Sequence, residues 1–259
     1  MTTETSETSV IDRPEEPDYR EGGEMTLLEH LLELRSRVMW SAIAVLAGMA
    51  VFFIPPIGFP LIEGMLAPAR KSIPDFRPQY IEPMENIATY FRVALLGGLT
   101  LGMPMLVYQA LRFVTPALTP SEKRWIYPIV LGASLAFLGG LAFAYYIVLP
   151  FTLKFLLTFG SDFAQADWRI GNYIDFVTRM MLVLGVIFQM PLFVMGLAKF
   201  GVVNAGQLLH YWRFAIVGAF VLSAVATPTI DPVTQSMVAG PVILLYFIGI
   251  GLAWLVRRG

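Results

Sequence analysis

The chain has 259 residues, 56% of them hydrophobic and 14% charged, with a mean hydropathy of +0.66 and a net charge of −1. An average soluble domain is about 25% charged and 45–50% apolar, so the composition excludes an ordinary soluble fold, and the near-neutral charge gives no handle for nucleic acid. There is no cysteine, which excludes disulfides, thiolate catalysis and Cys-based zinc sites.

Residues 1–25 are polar and acidic, with Glu21-Gly22-Gly23-Glu24 just before Met25. They read as a disordered cytoplasmic tail, without the basic start and apolar stretch of a secretory signal. Residues 26–259 read as one transmembrane domain. Thr26-Leu27-Leu28-Glu29 has the form of a capping box, Thr and Glu satisfying backbone donors reciprocally. From there Leu27, Leu28, Leu31, Leu32, Leu34 and Val38 fall on one arc of a helix, and Glu29, His30, Glu33, Ser36 and Arg37 on the other. Glu33 precedes Arg37 by four residues, the favourable order for an ion pair, while Arg35 projects into the leucine face. This amphipathic stretch is expected to lie in the interface plane before its uncharged continuation, Val38 to Ile54, crosses the bilayer and stops at Pro55-Pro56.

Uncharged runs of about 17–25 residues match a bilayer core. Further runs are Val93–Leu111, Ile126–Val148 (closed by Pro150), Met180–Ala198, Phe214–Ala226 and Met237–Val256. The fold class is therefore all-α: a polytopic membrane protein of six transmembrane helices. The fifth run covers only about 20 Å at ~1.5 Å per residue, short of a ~30 Å core. Pro104, Pro191 and Pro241, near the middles of their runs, predict kinks. Six spans put both termini on one side. That side carries Arg112, Lys123, Arg124, Lys199 and Arg213 in short connections, where the positive-inside rule applies best, so both termini are expected in the cytoplasm.

Gly132-Ala133-Ser134 resembles part of an intramembrane serine-protease motif, but a serine needs an adjacent base and the two histidines, His30 and His210, sit at membrane edges. A packing serine is the better reading, and the chain does not read as an enzyme. No second histidine joins His30 in a zinc set, so no metal or cofactor is expected. An ion-coupled carrier usually holds ionisable groups at depth. Gln189, just before Pro191, reads as the sole amide or charged side chain there, with two readings: an interhelical hydrogen bond covering the proline's orphan carbonyl, or a working group in a polar notch. What remains is the membrane surface. Glu33 and Glu122 would share one rim, and two carboxylates beside an apolar lip suit guanidinium groups. They also suit the simpler reading of solvated charges, with Glu122 capping the helix that starts at Lys123-Arg124.

Four motifs then carry a resemblance. Glu29-His30-Leu31-Leu32-Glu33-Leu34-Arg35-Ser36-Arg37, Phe113-x-x-Pro116-Ala117-Leu118-x-x-x-Glu122, Tyr145-x-x-x-Leu149-Pro150-Phe151 and Thr227-Pro228-x-x-Asp231-Pro232-x-x-Gln235 are similar, in order, to landmarks of the TatC family of twin-arginine translocase proteins. The resemblance implies a kinked, cup-shaped bundle with short helices five and six, in the cytoplasmic (inner) membrane. It implies a core translocase component that binds twin-arginine signal peptides of folded cargo and exports it on the protonmotive force. Glu33 and Glu122 would contact the signal arginines, with Phe113 lining the site and Arg35 and Arg37 at positions the family needs. The single-span TatA and TatB proteins would dock near Gln235, with Asp231 at the far-side hairpin tip and Thr227 beside it, in a homo- and hetero-oligomer set among membrane lipids. Many relatives have Glu where this chain has Gln189. A small-solute permease or an assembly scaffold are the alternatives.

Overall fold

The computed structural model describes residues 27–73, 76–114, 123–159, 168–227 and 231–257. The acidic tail, Thr26 of the expected capping box, Glu122 and Pro228 lie outside the described residues. The helices are α1 (Leu27–Phe52), α2 (Pro55–Ser72), α3 (Glu85–Val114), α4 (Ile126–Phe143), a π-turn (Ala144–Val148), α5 (Leu149–Thr158), α6 (Ile170–Ile187), α7 (Met190–Lys199), α8 (Ala205–His210), α9 (Trp212–Ala226) and α10 (Pro232–Arg257). Among the described residues, five helical stretches are long and apolar enough to cross a membrane: Leu28–Phe52, Glu85–Val114, Ile126–Leu156, Ile170–Lys199 and Pro232–Val256. With the shorter α9 between the last two, the chain runs back and forth six times. The fifth crossing has 15 residues, about 22 Å of helix.

Several expectations need correction. The sixth helix is not short: it has 26 residues, because Asp231 accepts a 2.6 Å bond from the Thr234 amide and so starts the helix ahead of the apolar run. The amphipathic stretch is not a separate interfacial element but the first turns of an unbroken α1. The third span does not end at Pro150. The π-turn at Ala144–Val148 precedes the proline and the chain stays helical to Thr158; such i→i+5 turns are one way a helix absorbs a local break in its ladder. Of the three kink candidates, Pro191 does divide its span into α6 and α7, whereas Pro104 and Pro241 sit inside continuous helices. Helix α2 was not anticipated, although Pro55-Pro56 is a good start signal, since proline suits the first helical turn.

Lipid tails give helices little hydrophobic reason to associate, so close backbone approach carries more of the packing. Two glycine crossings supply it. A Cβ on Gly48 would stand 2.7 Å from the Gly98 carbonyl oxygen, and one on Gly98 would stand 2.5 Å from the Met49 nitrogen; this crossing seats α1 on α3. A Cβ on Gly140 would lie 2.7 Å from the Leu184 carbonyl oxygen, and one on Gly185 would lie 2.7 Å from Phe137 Cε2, which seats α4 on α6. Between them lies the core, with Phe137, Leu149, Leu153, Tyr173, Ile174, Met180, Leu184 and Val238 fully buried.

The far end of the bundle, opposite the chain termini, is tied by polar groups. The Tyr145 and Tyr173 hydroxyls donate to the carbonyls of Gly64 and Met65 at 2.7 and 2.8 Å, strapping α2 down. The segment before α3 pairs with the one before α6: Gln79 N donates to Trp168 O at 2.9 Å and Ile170 N to Gln79 O at 2.8 Å. Glu85 accepts from the Gly171 and Ile81 amides at 2.9 and 3.0 Å, while Arg169 donates to both Glu82 and Glu85. Those carboxylates, Glu82 first, hold the Arg169 guanidinium above its ordinary pKa.

Candidate functional site

Helix spacing lays down two stripes at the near end, where the chain begins. Residues 30, 33 and 37 lie on one face of α1 through their three- and four-residue intervals, and Gln109 and Phe113 on one face of α3. The antiparallel crossing at Gly48 and Gly98 sets the register: eleven residues back from Gly48 is Arg37, and eleven on from Gly98 is Gln109. The stripes therefore meet. His30 stacks on Phe113 with ring centroids 4.3 Å apart and planes at 27°.

One layer deeper, Arg37 donates from Nη2 and Nε to Glu33 Oε1 at 2.9 and 3.3 Å, and from Nη1 to Gln109 Oε1 at 3.2 Å. The Gln109 amide nitrogen lies 3.8 Å from Met105 Sδ. The side chains of Glu33 and Arg37 are 18% and 23% exposed, and Gln109 is 4% exposed. Both Arg37 contacts to Glu33 fall on one carboxylate oxygen. The other, Oε2, is buried and has no hydrogen-bond partner among the described residues. A buried acceptor without a donor carries a desolvation penalty of about 1–3 kcal/mol, more if charged, so this oxygen is left with an unmet demand for a donor.

The orientation of α1 follows from its solvent. Leu28, Leu31, Leu32 and Val38 are exposed, while the polar stripe packs inward against α3. In water this arrangement would be inverted; beside lipid, the apolar arc outward is the favourable one. Arg35, about 200° around the helix from both Glu33 and Arg37, borders a shallow outward recess with Leu31, Leu34, Val38, Met39 and Ala42. The structure thus brings Glu33, Arg37 and Phe113 together and leaves Arg35 on the opposite face.

Gln109 is the residue that sequence reasoning missed, and it corrects the reading of Gln189 as the sole amide at depth. The sequence carries only an amide inside the uncharged run, one turn before Phe113, which gains its meaning from the α1–α3 register. Gln189 makes the interhelical bond expected of it, but on a different acceptor. Its Nε2 donates to Ala133 O of α4 at 2.8 Å, not to the carbonyl freed by Pro191. Ser134 donates to Val130 O in its own helix at 2.7 Å, as a packing serine does.

The remaining candidates meet at the α9–α10 hairpin on the far end. Thr227 is buried and its hydroxyl donates to Ser223 O at 2.9 Å. Ser223 in turn donates to the Gln235 carbonyl at 2.7 Å, so the hairpin is closed by hydroxyl-to-backbone bonds one turn from Asp231. Along α9, Phe214, Val217, Val221 and Val225 form an exposed apolar stripe.

Residues 29–241 match the family described as Sec-independent protein translocase protein (TatC). A protein of that name from Synechocystis is 40% identical over 91% of this chain and 92% of its own length. One from Aquifex aeolicus is 37% identical over 90% of this chain and 97% of its own. A crystal structure described as the twin-arginine translocase receptor TatC superposes with a TM-score of 0.78 at 37% identity, covering 89% of this chain and all of that one.

Proposed function

The chain belongs to the TatC family and is a multi-pass membrane component of the Sec-independent, twin-arginine protein translocase; from that premise we propose that the Glu33 rim is where it grips the arginines of an export signal. The observation that carries this is the buried Oε2 of Glu33, which has no donor among the described residues. A guanidinium is planar and offers paired N–H donors, so it suits a carboxylate better than an ammonium does. The Phe113–His30 stack gives the arginine stem and adjoining apolar residues a surface to lie on. Glu122, nine residues after Phe113, supplies the second carboxylate. Arg37 covers Glu33 Oε1 while no signal is bound, and Arg35 faces lipid headgroups and partners from the other side of α1.

In this reading the near end is cytoplasmic, both termini lie there, and the membrane is the cytoplasmic (inner) one. The short connections rich in Lys and Arg support that orientation. The single-span TatA and TatB proteins seat against the exposed stripe of α9 and the Thr227–Asp231–Gln235 hairpin. The 15-residue α9 thins the adjoining bilayer, lowering the barrier to a polar chain driven by the protonmotive force. Gln189 cannot titrate, so its part is the hydrogen bond it makes to α4. The small-solute permease alternative has no support among these relatives, which carry the translocase name.

The test is binding of a labelled twin-arginine signal peptide to the purified full chain in detergent. Glu33→Gln and Glu122→Gln should each weaken it about ten- to a hundredfold, the range set by hydrogen bonds to charged groups of about 1.5–3 kcal/mol. The twin-lysine peptide should lose much less. Unaltered affinity in both variants overturns the assignment.

A further inference from the structure

Arg37 already occupies part of the site. It is a guanidinium, the same group the site is built to receive, and it sits on Glu33 Oε1 through two donors. Its third contact, Nη1 to Gln109 Oε1 at 3.2 Å, comes from a different helix. We propose that Arg37 is an internal stand-in for a signal arginine and that Gln109 is the positioning residue that sets how readily Arg37 gives way, so that Gln109 tunes affinity and the preference for arginine over lysine. This rests on the reading of Glu33 as the arginine acceptor.

The geometry leads there in three steps. First, a bidentate arginine needs both oxygens of a carboxylate. Glu33 Oε2 is buried and unpartnered among the described residues, and Oε1 is shared with Arg37, so a signal guanidinium binds in full only when Arg37 loosens. A lysine ammonium is a point donor and is content with Oε2 alone. Second, Arg37 is only 23% exposed, and a partly buried cation that loses its carboxylate must keep some other partner. Gln109, 4% exposed and fixed on α3, provides the acceptor that stays. Third, the amide is neutral: it holds Arg37 without competing with Glu33 for charge. The contact is therefore strong enough to receive Arg37 and too weak to remove it from Glu33 when no signal is present, which keeps Glu33 from standing empty in a low-dielectric rim.

The consequences have opposite signs for two substitutions at one buried position. Gln109→Leu deletes the acceptor, so displaced Arg37 is stranded. Affinity for the twin-arginine peptide should fall about tenfold, the loss expected for one hydrogen bond to a charged group, while the twin-lysine peptide is nearly unaffected. Arginine-over-lysine discrimination shrinks by the same factor. Gln109→Glu gives Arg37 a second carboxylate, pulls it off Glu33, and should tighten arginine binding several-fold, again with little change for lysine. A merely structural role for Gln109 would move both peptides together and in the same direction for both variants.

The experiment is a titration of the full-length protein in detergent with twin-arginine and twin-lysine signal peptides. The variants are Gln109→Leu, Gln109→Glu, Arg37→Gln, Glu33→Gln and Arg37→Gln with Gln109→Leu. With Arg37 absent there is no stand-in to displace, so Gln109→Leu should have no further effect, a non-additivity that a double-mutant cycle reads directly. If a Gln109 variant fails to purify as a folded protein, Arg37→Gln alone still decides, since removing the competitor must tighten or preserve arginine binding. Loss of binding in Arg37→Gln, or equal effects of the Gln109 changes on both peptides, overturns the stand-in while leaving the site reading intact. Unchanged binding in Glu33→Gln overturns the site reading itself.

Discussion

Replacing Gly98 by alanine tests whether one backbone crossing sets the geometry of the rim. The new Cβ would stand 2.5 Å from the Met49 nitrogen and 2.7 Å from the Val45 carbonyl oxygen. Both neighbours are backbone, so no side chain can rotate away. Ordinary carbon contacts need about 3.5 Å, so α1 must retreat by roughly 1 Å from α3. Overpacking of this kind costs about 1–3 kcal/mol. The strain is transmitted because the same two helices carry the Arg37–Gln109 bond at 3.2 Å and the His30–Phe113 stack at 4.3 Å; moving Arg37 away by about 1 Å takes that bond beyond hydrogen-bonding range. Thermal unfolding in detergent should therefore show a midpoint several degrees lower, and signal-peptide affinity should fall with it. Gly132→Ala is the control: a Cβ there meets nothing within 4 Å, and removing a helical glycine is worth up to about 1 kcal/mol of stability. If Gly98→Ala melts and binds like Gly132→Ala, the crossing does not govern the rim.

Three other outcomes follow. Gln189→Leu removes the 2.8 Å bond to Ala133 and should lower stability by about 0.6 kcal/mol, at most about 1.7, read as a small shift in the detergent melting midpoint; Gln189→Asn, too short to reach, should behave alike. Glu85→Ala frees the Gly171 and Ile81 amides and removes one of the two carboxylates that hold Arg169, so hydrogen exchange should quicken around residues 79–85 and 168–171 while the near end stays protected. Lengthening α9 by one leucine-rich turn should impair cargo transport in membrane vesicles and leave signal-peptide affinity unchanged; normal transport would rule membrane thinning out.

The number and order of crossings were legible because uncharged runs of bilayer length leave little choice in lipid. The short fifth run appears as the 15-residue α9. What the sequence hid were features set by partners distant along the chain. Pro104 and Pro150 look alike as breakers, yet one stays in a regular helix and the other follows a π-turn; neighbouring helices decide that. Helix α2 lacks a long apolar run and depends on Tyr145 and Tyr173 for its place. At the candidate site, the Glu33–Arg37 pair was readable from its four-residue spacing. Gln109 was not, because an amide among apolar residues announces itself only once the α1–α3 register is known. Arg35, adjacent to the pair in sequence, is removed from it by a turn of about 200° around the helix.

The central claim is that a signal's arginines come to rest between the first and second spans at the chain's near end. A photo-crosslinker placed at His30, tested with twin-arginine and twin-lysine signal peptides on the full chain in native membranes, measures this directly. The expected result is a strong adduct with the arginine peptide, a weak one with the lysine peptide, and loss of the strong adduct on adding Glu33→Gln. Equal labelling by both peptides, or an adduct found only from a far-end position such as Phe76, would contradict it.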